Sequence, residues 1–311
     1  MPRRMKPFSS PLILLLVCTF FVTVSNAGTR RIPIVLDTDI GGDIDDAFAL
    51  AMVIQDKQLD LKAVTTVTGD TQARARIAAK MLAQAGLASI PVAAGDPESK
   101  PAFDQAKWAE GFTSPSLVSE GAVDLLKDCI EREHGQLVII AIGPLSNIAG
   151  LLKHYPEEKS RIHEIVLMGG SIAHGYTVGS GPTPEYNIAD NAAAAQVVFD
   201  SGVPIRMAPL DVTARLQLEQ GDREKIFARH TPLTESLQAL YLLWAQPTPT
   251  LHDPMAISLL TKPALCKSKR LRVKIENDGS TKAGAGAPNA VVALQTTPAK
   301  FIAYYDSLFI H

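Results

Sequence analysis

Five short apolar runs recur along the chain, each closing on glycine or an acid: IPIVLD (residues 32–37), LKAVTTVTG (61–69), LVIIAIG (137–143), IHEIVLMGG (162–170) and PIRMAPLD (204–211). Runs this rich in β-branched residues, apolar at almost every position, read as strands buried on both faces. Helix-like segments lie between or after them, at residues 45–55, 71–85, from Ser146 onward and at 190–201. This alternation predicts an α/β fold: a mainly parallel, twisted, open Rossmann-like sheet flanked by helices, in a single domain. In such sheets ligands bind beyond the carboxyl ends of the strands. The chemically loaded residues fall at those ends: Asp37 and Asp39, Asp70, Ile142 and Gly143, residues 168–171, and Asp211. Residues 175–184 read as a loop over the site, and residues 271–311 as a strand, a Gly-rich turn at 283–286, a strand and a final helix of the same domain.

The chain has 311 residues and a net charge of −2, without a basic stripe, which makes nucleic acid a poor partner. Its first residues have the three parts of a secretory signal: Arg3, Arg4 and Lys6, an apolar stretch at 11–24, and Ser25-Asn26-Ala27 before the cut. Removal of residues 1–27 would leave a domain at 28–311, periplasmic or secreted, with no membrane attachment. An uncleaved anchor is the alternative, although the apolar run is short for a spanning helix; Val17 is a poor residue before a lipidated Cys18. Cys129 and Cys266 remain after cleavage, and an oxidising compartment would permit a bridge between them.

VLDTDIGGDIDDAFAL (residues 35–50) places five aspartates, Asp37, Asp39, Asp43, Asp45 and Asp46, between a strand end and a helix start. Oxygen-only ligands suit Ca²⁺ or Mg²⁺, and a cation would relieve the repulsion and lower the pKa of a bound water. The plain alternative is that these acids cap the helix and face water. An EF-hand register from Asp37 fails, because Phe48 stands where the twelfth-position Glu is needed. A haloacid-dehalogenase-like phosphatase would use Asp37 as nucleophile and Asp39 as acid, but Ile40-Gly41-Gly42 follows instead of Gly-Thr.

With three further segments the chain resembles the inosine–uridine-preferring nucleoside hydrolase family. These are IGPLSNIA (142–149), VLMGGS (166–171) followed by PEYNIADNAAAAQVVF (184–199), and HDPMAI (252–257). The resemblance implies Ca²⁺-dependent hydrolysis of the N-glycosidic bond of a ribonucleoside to ribose and free base, through an oxocarbenium-like transition state. It implies that Asp39, Asp46, Asp253 and the Ile142 carbonyl hold Ca²⁺, and that Asp39 is also the base on the attacking water. Asp45, Met168, Glu185 and Asn187 would hold ribose. His252 stands where many members have the acid that protonates the leaving base; alternatively it only orients Asp253. The substrate would be a small nucleoside and the assembly a homo-oligomer.

The sequence departs from the usual D-x-D-P-G-x-D-D motif. Two extra residues intervene, Ile40 replaces the proline, and either Asp43 or the Asp45-Asp46 pair can take the motif's later positions. Asp70 replaces an asparagine and is expected to face the metal site. Gly179 stands where asparagine is common. Trp108, Tyr186 and Trp244 are each read as a base-stacking or a packing residue. A non-catalytic periplasmic nucleoside- or sugar-binding protein is the remaining alternative, and a binder needs neither a base at Asp39 nor an acid at His252.

Overall fold

The computed structural model describes residues 1–5, 31–177 and 179–309. The expected signal segment therefore lies almost wholly outside the described residues. Residues 31–309 build a single unit.

In chain order the elements are β1 (Ile32–Thr38), α1 (Asp45–Gln55), β2 (Leu59–Thr66), α2 (Thr71–Gln84), β3 (Val92–Ala94), α3 (Ala122–Glu133), β4 (Val138–Ala141), α4 (Ser146–His154) and β5 (Glu164–Met168). There follow α5 (Tyr186–Ala189), α6 (Ala192–Asp200), β6 (Ile205–Ala208), α7 (Leu210–Thr213), α8 (Gln220–Phe227), α9 (Pro232–Trp244) and α10 (His252–Thr261). The chain closes with β7 (Cys266–Ile275), β8 (Thr281–Gly284), β9 (Ala290–Thr296) and α11 (Pro298–Ser307).

The described residues form one nine-stranded sheet in the order β3-β2-β1-β4-β5-β6-β9-β7-β8. Pairings from β3 to β9 are parallel; β7 runs antiparallel to β9 and β8 antiparallel to β7. The mainly parallel α/β prediction holds. The antiparallel end is the addition, because the short β8 hides in a polar, Gly-rich stretch that reads as turn. β8 covers only residues 272–275 of β7, so among the described residues the other edge of residues 266–271 carries no strand.

Strand side chains alternate between two cores. Ile34, Leu36, Ile140 and Val166 face the side of α1, α2, α9, α10 and α11. Val35, Ile139, Ile165 and Leu167 face the side of α3, α4 and α6. Cys129 lies in the second core and Cys266 packs against the first; both are free thiols. Strand order reverses between β1 and β4, and the crevice beyond a reversal is where an open sheet has room for a ligand. Among the described residues no helix is long and apolar enough to cross a membrane.

Candidate active site

A cavity of about 290 Å³ opens beyond the ends of β1 and β4. Its walls include Asp39, Asp43, Asp45, Asp46, Arg74, Ile142, Met168, Tyr176, Glu185, Tyr186, Asn187, His252 and Asp253. Every residue to which the family resemblance assigned a metal, ribose or catalytic role therefore lines one pocket.

Two helix starts supply its floor. α1 begins with Asp45 and Asp46, and α10 carries Asp253 in its first turn; neither helix has a side-chain cap. Free N–H groups and the helix dipole favour carboxylates at such ends. One carboxylate oxygen from each of Asp45, Asp46 and Asp253 lies within 4.8 Å of the others. The main-chain N–H of Asp253 donates to Asp45 Oδ2 at 3.3 Å, and Thr38 Oγ1 donates to Asp46 Oδ1. Asp39 lines the same pocket but is not a member of that trio, whereas Asp45 is. Asp39 instead abuts Gly143, where a Cβ would sit 2.9 Å from Asp39 Oδ1; only glycine lets the two strand ends come this close.

All four acids are buried. Burial pushes Asp39 up to about 6, against the pull of Arg74, and raises Asp45, Asp46 and Asp253 well above the ordinary range, with their mutual repulsion adding to it. The protein has gathered carboxylates that resist ionising together, and a hard divalent cation answers that charge with oxygen ligands alone. The donor set fits such an ion.

The opposite wall is built from β5 and α5. Glu185 accepts from the main-chain N–H groups of Gly170 (2.8 Å), Asn187 (3.0 Å) and Ile188 (3.3 Å). Burial nevertheless raises it to about 7. Asn187 Nδ2 donates to the carbonyls of Ile142 (3.1 Å) and Met168 (3.2 Å). That fixes the amide with its donor side on the protein.

His252 stands in a third wall, its Nδ1 2.9 Å from Thr213 Oγ1 and its ring edge-on to Tyr176 at 6.2 Å. Burial lowers it to about 4, so the imidazole is neutral near pH 7. Among the described residues its ring hydrogen-bonds to Thr213, not to Asp253.

One expectation is corrected and several open alternatives are narrowed. Asp70 is exposed and caps α2, accepting from the Ala73 N–H at 2.9 Å; it does not line the pocket. Trp108 lies outside the pocket with Lys80 over its ring at 4.4 Å, and Trp244 packs beside Tyr241 at 6.2 Å. Tyr186 is the aromatic of the three that lines the cavity. Asp43 reaches the pocket rim but is exposed, and its Oδ1 accepts from the Ile44 N–H at 2.6 Å. Asp37 is fully buried, outside the pocket, and accepts from Thr65 Oγ1 (2.6 Å) and Asn147 Nδ2 (2.7 Å). A carboxylate so enclosed cannot attack a phosphoester, which removes the phosphatase reading.

Sequence reasoning passed over Arg74 and Tyr176. Arg74 had a readable signal: it lies on the buried stripe of α2 with Ile77, Ala78 and Met81, a charge where an apolar residue belongs. Tyr176 sits in a loop with no periodicity to mark it.

The chain matches the family described as inosine–uridine preferring nucleoside hydrolase over residues 34–303. It is 35% identical over 274 residues to the pyrimidine-specific ribonucleoside hydrolase RihA of Photobacterium profundum, covering 81% of this chain and 87% of that protein. It is 31% identical over 305 residues to RihA of Escherichia coli O9:H4, covering 87% and 96%. A plant nucleoside hydrolase shares the fold with a TM-score of 0.80 at 22% identity, covering 91% of this chain and 100% of that one. So does a purine-preferring ribonucleoside hydrolase from Gardnerella vaginalis, with a TM-score of 0.77 at 24% identity, covering 89% and 98%. Pocket, fold and sequence agree: this chain belongs to the inosine–uridine-preferring nucleoside hydrolase family, N-glycosidases that cleave nucleosides.

Proposed function

We propose that the protein is an exported, Ca²⁺-dependent ribonucleoside hydrolase, and that uridine and cytidine are its first substrates to try. The observation that carries the reading is the convergence of Asp45, Asp46 and Asp253 in one pocket with Asp39, Glu185 and Asn187. Asp39, Asp46, Asp253 and the Ile142 carbonyl would hold the ion, with Asp45 against the same charge cluster. Bound there, Ca²⁺ would keep the carboxylates ionised and make a neighbouring water and the ribose hydroxyls better proton donors.

The chain's own residues divide the remaining work. Asp39 takes the proton from the attacking water at its carboxylate. Asp45, Glu185 and Asn187 accept from ribose hydroxyls, and Met168 packs against the sugar. These acids also surround the ribosyl centre with negative potential as it gains positive charge. His252 meets the leaving base. With Nδ1 engaged by the Thr213 hydroxyl, Nε2 is the ring nitrogen left to face the base, and in the tautomer protonated there it donates to a base whose negative charge is growing.

Pyrimidine nucleosides lead because both RihA relatives described above are named for them. Export rests on the amino-terminal pattern and would place the enzyme in the periplasm or outside the cell, as a homo-oligomer. The test is purified protein comprising residues 28–311, incubated with a panel of nucleosides with and without chelator, following free base. Base release that chelator abolishes and Ca²⁺ restores supports the reading. Absence of release from every nucleoside sinks it, and chelator-resistant release sinks its metal half.

A further inference from the structure

The loop between β1 and α1 is two residues longer than the motif it resembles, and Ile40 lacks the ring that would fix φ after Asp39. Asp39 must nonetheless be aimed accurately, because a misplaced base costs rate steeply. Two buried polar side chains from outside the loop hold it. Arg74 Nη1 donates to the carbonyls of Asp39 and Ile40, the latter at 3.0 Å. Gln105 Nε2 donates to the carbonyls of Gly42 and Asp43, both at 3.1 Å. Arg74 is 5% exposed and Gln105 1%. Phe103 packs against Arg74 and Gly41: the guanidinium carbon of Arg74 is 4.6 Å from its ring centre, and Gly41, at φ +109°, sits where a Cβ would come 2.6 Å from the ring.

The choice of partners is informative. Arg74 lines an acidic pocket, yet among the described residues it donates to main-chain carbonyls: Asp39, Ile40 and, through Nε at 2.8 Å, Thr68. An arginine placed merely to balance charge would fork onto a carboxylate. Here Nη1 of its planar guanidinium, anchored through Nε on Thr68, fixes the peptide planes on either side of Ile40, and with them the direction in which Asp39 leaves the main chain.

We propose that Arg74, Phe103 and Gln105 form a clamp that aims Asp39. They are positioning residues: none needs to touch substrate, and they act through the main chain of residues 39–43. The proposal rests on the assignment of Asp39 as the base, so its test needs one reading of activity and one that is independent of it.

Wild type, R74A, R74K and Q105L are compared in the presence of Ca²⁺ by steady-state kinetics and by hydrogen exchange at the amides of residues 40–44. R74A should lose about 100-fold in kcat with KM within about threefold of wild type, because ribose is held by other residues. R74K and Q105L should lose about tenfold, since lysine lacks the Nε–H that anchors the side chain on the Thr68 carbonyl and the planar group that holds all three carbonyls at once, and the leucine removes one arm of the clamp. Exchange at residues 40–44 should speed up at least about tenfold in R74A and Q105L. If R74A does not fold, R74K and Q105L carry both readings. A kcat within about twofold of wild type in every folded variant overturns the clamp, as does unchanged exchange. A raised KM with intact kcat overturns it in favour of direct substrate contact by Arg74. A wild type that releases no base overturns the proposed function instead, and exchange alone then decides whether the clamp exists.

Discussion

The carboxylate floor of the pocket and its aromatic rim are held in different ways. The floor comes from strand ends and helix starts: Asp39, Asp45, Asp46 and Asp253 are buried, and the neighbouring Thr38, Gly143 and the α10 main chain fix them. The rim comes from loop residues and a short helix: Tyr176 is 46% exposed and Tyr186 47%, joined by the Tyr186 N–H donating to the Tyr176 hydroxyl at 2.9 Å. A sugar presents the same hydroxyls whatever base it carries, so the floor can be rigid. Bases differ, and the part that meets them is the part that can be rebuilt without disturbing the core.

That contrast breaks first at Asp39. D39N keeps the shape and removes the base, so kcat should fall about a thousandfold while nucleoside still binds. A loss below about tenfold would move the base elsewhere on the floor.

The next effect concerns stability. Burial pushes Asp37 and Glu185 up to about 7 and Asp39 up to about 6. A carboxyl raised in the folded state holds its proton more tightly than in the unfolded chain. Its contribution is full below about pH 4 and is lost as pH rises through 6 and 7. In chelator, Tm should therefore drop by about 5 °C or more between pH 5 and pH 8, and Ca²⁺ should recover most of that loss at pH 8. Equal melting at both pH values in chelator would mean that these buried carboxyls are not under charge strain.

The rim is tested by Y176A, which should change the ratio of kcat/KM between a pyrimidine and a purine nucleoside by about tenfold and leave the melting temperature within about 2 °C. An unchanged ratio would remove the rim from base choice. The smallest effect is expected at Asp43: D43N should alter kcat/KM by less than about threefold. A loss as large as that at Asp39 would make Asp43 part of the floor.

How much of this the sequence displayed depends on distance along the chain. The bounds of α1, Asp45–Gln55, were legible to the residue because acids and apolar residues change over sharply there. The ribose and metal candidates were legible because they lie within short segments at strand ends. Asp70 misled because an Asp before a helix satisfies a local demand, the cap, that outweighs any distant one. The clamp joins residues 39–43 to Arg74 and Gln105 from two other segments, and only the packing of α2 against β2, β3 and residues 104–109 brings them together. β3 was missed because three residues are too few for a pattern.

The uncovered half of β7 has a consequence of another kind. Its exposed residues 267–270 are Lys, Ser, Lys and Arg. Two molecules that approach edge to edge along this strand bring like charges together before their main chains can pair. Concentrated solutions should therefore stay clear at low ionic strength and grow turbid as salt is added, the reverse of a protein whose strand ends are kept apart by bulk alone.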